Sequence, residues 1–151
     1  MISSPNAAVH ADAIQTLSGW TPDDPGQQAL RQAFLGFLAA RPDACARSCV
    51  PGHLTASAVV VSHDGMREAT EESGIGALEI DPRPLHLDVH PITCSLGVPT
   101  RHFDVRFLLH APPGATPVIS SESVDLAWWP THSLPPDVAL LIPAMETYRA
   151  L

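Results

Sequence analysis

The sequence predicts a single α/β domain. A helix-period apolar stripe occupies residues 30–38, two segments near residues 85–109 alternate apolar and polar side chains, and turn-forming residues separate them. At 151 residues and 16.1 kDa, one domain over residues 1–151 is expected, long enough to bury a core without staples. Apolar residues make up 45% and charged residues 16%, a foldable composition. The formal charge of −8 argues against a nucleic-acid backbone binder. All eight basic residues are Arg, and sixteen Pro favour short strands and stiff loops over long helices.

Residues 1–24 read as a weakly structured N-terminal extension with a short helix around Ala11–Leu17. Thr21-Pro22-Asp23-Asp24 has the composition of a helix start: a hydroxyl cap, a proline and acids at the positive dipole end. Leu30, Phe34, Phe37 and Leu38 then recur at helical spacing until Arg41-Pro42 stops the helix. Leu54–Val61 is a short β-branched strand, and Ser62-His63-Asp64-Gly65 reads as a turn. Met66–Ser73 reads as two helical turns closed by Gly74. In the strand Leu85–Ile92, Leu85, Leu87 and Val89 oppose His86, Asp88 and His90. In Arg101–Leu109, Phe103, Val105 and Phe107 oppose His102, Asp104 and Arg106. The short connection between these two predicts an antiparallel pair. Val124–Trp129 reads as a further strand ended by Pro130, and Asp137–Leu151 as helix with a break at Pro143.

A basic leader and an apolar stretch long enough to span a bilayer are both lacking, so the expectation is a cytoplasmic protein without membrane or nucleic-acid partners. Cys45, Cys49 and Cys94 are odd in number and read as small buried or loop thiols.

Acid gathers in residues 64–88, with Asp64, Glu68, Glu71, Glu72, Glu79, Asp81 and Asp88 against Arg67 and Arg83. On the expected helix, Glu68, Glu71 and Glu72 share one face at i, i+3 and i+4. They would repel one another near the negative end of the dipole unless a cation sat among them. Mg²⁺ suits such oxygen ligands and is often completed by substrate phosphates; a solvated acidic face is the alternative. The run Arg67-Glu68-Ala69-Thr70-Glu71-Glu72-Ser73-Gly74-Ile75 resembles the second half of the Nudix box. Arg67, Glu68, Glu71, Glu72, Gly74 and Ile75 fall on its fixed positions. His53–Ala58 resembles the first core strand of bacterial Nudix hydrolases. The strands His86–His90 and His102–Arg106, with Trp128-Trp129-Pro130, resemble one subgroup. The positions fourteen and eight residues before Arg67, where the box has Gly and Glu, are His53 and Val59. The front half of the box is therefore missing.

The resemblance implies a Nudix-type α/β/α sandwich with a mixed β-sheet, lacking one strand and the front loop of the box. It implies a Mg²⁺- or Mn²⁺-dependent pyrophosphohydrolase that cleaves a nucleoside diphosphate linked to another moiety. Arg67, Glu68, Glu71 and Glu72 would be catalytic, with metal on Glu68, Glu71 and Glu72 and, from a late loop, Glu122. A non-catalytic relative that binds a nucleotide or partner is the alternative. Arg106 is a candidate phosphate contact, because its fork matches phosphate geometry, or a salt-bridge partner of Asp88 or Asp104. His86 and Asp88 are candidates for a cleft wall. His86-x-Asp88-x-His90 could also hold a transition metal, although a wet sheet face is the simpler expectation. A lost strand would leave a sheet edge open for a homodimer.

Overall fold

Ser4 and Pro5 start the first helix. In the computed structural model, which describes residues 4–62, 67–70, 78–93, 97–115 and 129–149, α1 spans Pro5–Ser18. The Ser4 hydroxyl accepts from the Ala7 N–H at 3.3 Å, and Pro5 occupies the first turn, where its missing N–H costs nothing. Residues 1–24, expected to be weakly structured, thus hold a fourteen-residue helix, and Leu17 and Trp20 are buried. The same signature recurs at α2 (Pro25–Ala40). Here Asp24, not Thr21, is the cap, because Pro25 takes the first helical position; its carboxylate accepts from the Gln27 N–H at 2.9 Å.

The two helices cap each other. Arg31 of α2 donates from Nε to the Leu17 carbonyl at 2.6 Å and from Nη2 to that of Ser18 at 2.9 Å. His10 of α1 donates from Nε2 to the Leu38 carbonyl at 2.8 Å and approaches that of Arg41 at 3.2 Å. Carbonyls at each C-terminus, which lack a partner within their own helix, are thereby satisfied by the other.

Five strands follow: β1 (His53–Val61), β2 (Arg67–Thr70), β3 (Glu79–Thr93), β4 (Pro99–His110) and β5 (Trp129–Pro130). They form one sheet in the order β3-β4-β1-β2-β5. β1 and β2 are antiparallel, with Val59 opposite Thr70 and Val61 opposite Glu68; β2 and β5 are also antiparallel. β3 and β4 are neighbours joined by residues 94–98, too short a link for a parallel crossover, so they are antiparallel as expected. β1 and β4 keep a constant offset of 49 residues, Thr55 beside Asp104 and Ser57 beside Arg106, which is a parallel register. The sheet is therefore mixed. A short α3 (Pro136–Ala139) and α4 (Ile142–Arg149) close the chain. The expected break falls at residues 140–141, and Pro143 lies in the first turn of α4.

The chain divides into two compact units, Met1–Ala56 with His86–Val105, and Ser57–Leu85 with Arg106–Leu151. In the first, Phe103 of β4 stacks on Phe37 at 4.2 Å and meets the edge of Phe34 at 5.4 Å. Gly52 is needed here: a Cβ on it would stand 2.7 Å from the Phe103 ring and 2.8 Å from the Arg101 carbonyl oxygen. In the second unit, Val59, Val61, Leu85, Leu108, Leu141 and Met145 form a buried cluster on one side of β1. Val60 points to the other side, toward Ala111, with Leu78, Leu109 and Ala115. Tyr148 donates its hydroxyl proton to the Pro84 carbonyl, and the Arg83 guanidinium lies 4.0 Å from the centre of its ring.

β3 is an edge strand, and an open edge invites another chain. Gln27 of α2 closes it at Leu87: its Nε2 donates to the Leu87 carbonyl at 3.0 Å, and its Oε1 accepts from the Leu87 N–H at 2.7 Å. Pro82, Pro84 and Pro91 carry no N–H to offer, and the Arg83 N–H donates to the Asp81 carboxylate at 3.0 Å.

Candidate functional site

The expected catalytic helix does not begin where the sequence placed it. Arg67, Glu68, Ala69 and Thr70 form β2. The physical reason is local. Three consecutive valines, Val59–Val61, end β1, and Asp64-Gly65 is a strong hairpin signal within the five-residue connection 62–66. Backbone pairing along β1 outweighs the modest helix propensity of four residues. Glu68 is therefore in a strand, not on a helix face with Glu71 and Glu72. Glu71, Glu72, Gly74, Ile75 and Glu122 lie outside the described residues. Of the four expected metal ligands, the structure describes only Glu68, and the expected helix-face grouping is not formed at 67–70. Among the described residues, no group of three or more His, Cys, Asp or Glu side chains is placed to hold a metal ion. The expected strand 124–129 appears as Trp129–Pro130, its earlier residues lying outside those described.

The polar strand faces are assembled, with an addition. In the first unit, β1 contributes His53 and Thr55, β4 contributes His102 and Asp104, and β3 contributes Asp88 and His90. The His53 and His102 rings lie 4.8 Å apart and those of His90 and His102 5.3 Å apart, both edge-to-face. His90 Nδ1 meets the Asp88 carboxylate at 2.9 Å. The Thr55 hydroxyl donates to Asp104 at 2.9 Å, which compensates a carboxylate that is only 4% exposed. His53 is equally buried, and among the described residues its Nδ1 has no hydrogen-bond partner. Burial holds the His102 imidazole below its usual titration range; His53, His90 and Arg47 push the same way, and Asp104 opposes them.

In the second unit Arg106 is half-buried and donates from Nε to the Ser57 hydroxyl at 3.2 Å. Ser57, rather than Asp88 or Asp104, is thus its observed contact. His86, on β3 in the first unit, is half-buried. His53, Thr55 and Ser57 are additions to the expected site, although a polar residue at every second position of a strand is a readable signal. That signal was masked because the same phase continues into Val59 and Val61.

Cys45 and Cys49 are free thiols, and burial pushes both above the usual thiol range, which makes them poor nucleophiles. No described helix is long and apolar enough to cross a membrane. No protein-family model matches the chain, and no curated protein matches its sequence.

Proposed function

We propose that this chain is a Nudix-related protein that binds a nucleoside diphosphate derivative without efficient hydrolysis. The relation to Nudix hydrolases rests on the six motif identities between Arg67 and Ile75. The reading of binding rather than turnover rests on one observation: Arg67–Thr70, the first four residues of that motif, pair as a strand with β1. The catalytic arrangement needs Glu68 on one helix face with Glu71 and Glu72, and a strand over 67–70 does not supply that helix. Arg106 is the proposed phosphate contact.

The competing reading is the Mg²⁺- or Mn²⁺-dependent pyrophosphohydrolase, with Arg67, Glu68, Glu71 and Glu72 catalytic and Glu122 completing the metal set. Its support is the motif itself. The two readings separate in one experiment. The protein is incubated with ADP-ribose, NADH, diadenosine polyphosphates and dNTPs plus Mg²⁺, and both turnover and thermal stabilisation are followed. Binding predicts no turnover, and stabilisation of about 2.7 kcal/mol at a hundredfold excess over Kd. That stabilisation should be lost in Arg106→Ala. Turnover that disappears in Glu72→Gln would establish the hydrolase instead.

A further inference from the structure

A row of imidazoles crosses β1, β4 and β3 in the first unit, and its His90 contacts Asp88. Three adjacent strands each place one histidine in it, and the rings touch edge-to-face with His102 in the centre, at 4.8 Å from His53 and 5.3 Å from His90. Neutral imidazoles pack well in this way. Charged ones do not: two imidazolium ions about 5 Å apart repel, most strongly where water is excluded. His53 is 4% exposed, and its Nδ1 has no hydrogen-bond partner among the described residues.

We propose that the His53–His102–His90 row is an acid-sensitive latch, which joins β1, β4 and β3 while the central His102 is neutral and loosens that end of the sheet when His102 takes up a proton. The described groups facing it come from every neighbouring element. On β4, Asp104 favours a proton on His102, but its carboxylate already accepts from Thr55 of β1. On β3, the Asp88 carboxylate is engaged by His90. From the segment before β1, Arg47 opposes protonation of His102. Asp104 is thus shared with Thr55, Asp88 is held at the His90 end of the row, and burial leaves the central His102 ring neutral at a pH where a free imidazole would begin to charge.

The sign follows from linkage. A histidine whose folded pKa lies below its unfolded value of about 6.5 stabilises fully above that value, and the contribution is lost as pH falls through the folded pKa. Thermal unfolding between pH 7.5 and 5.5 tests the latch. The wild-type chain should lose about 4 °C or more in Tm, and His102→Asn less than half as much. Should His102→Asn fail to fold, the half-exposed His90 supplies a milder variant, His90→Asn, with the same expected reduction. Amide exchange at pH 5.5 should accelerate at residues 53–56 and 86–90 before residues 59–61. Equal pH dependence in wild type and both variants would overturn the latch, as would an NMR titration placing His102 at or above the ordinary imidazole value. A rise in Tm on adding Zn²⁺ at pH 7.5, lost in His102→Asn, would also overturn it by assigning the row to a metal.

Discussion

At the scale of single residues, the two glycines Gly52 and Gly36 make opposite predictions. Gly52 lies where the chain enters β1, against Phe103 and the Arg101 carbonyl, and the carbonyl belongs to a strand that cannot swing aside. Gly52→Ala should lower the unfolding free energy by about 1–3 kcal/mol, as overpacking does. Gly36 sits inside α2 with nothing within 4 Å of a built Cβ. Gly36→Ala should raise stability by about 0.5–1 kcal/mol through the backbone entropy of the unfolded chain. Urea denaturation of both variants with unchanged m-values checks the pair. Neither effect was readable from the sequence, since a glycine does not announce whether it serves a turn, a close approach or nothing.

At the scale of elements, what could be read depended on whether a segment carried its own pattern. The period-2 alternation around Leu87 and Val105 marked β3 and β4, and the apolar stripe from Leu30 to Leu38 marked α2. The fate of Arg67–Thr70 was decided elsewhere, by the unpaired flank of β1, and short segments are those where a neighbour overrides propensity. Carbon chemical shifts at residues 67–70 should accordingly be strand-like, Cα upfield and Cβ downfield of random coil; helical shifts would restore the expected catalytic turn. The candidate site was legible to the same degree. His90 and His102 stood out by alternation, while His53 joined them only through the parallel β1–β4 register, a long-range pairing that no local pattern encodes. Gln27 offers a further test. Gln27→Ala removes both hydrogen bonds from Leu87 and should cost about 1–3 kcal/mol. Size-exclusion chromatography with light scattering should then detect concentration-dependent association absent from the wild type.

At the scale of the whole molecule, acidity and edge chemistry both oppose unwanted contact. The net charge of −8 favours repulsion between copies, and the β3 flank is a poor template, blocked by prolines and Gln27. A homodimer through β3 is therefore expected only once the Gln27 amide is removed. That amide also has a consequence in time. Residue 27 leaves the ribosome sixty positions ahead of residue 87, so the cover for β3 is synthesised before the strand that requires it, and the nascent sheet need never display a bare flank.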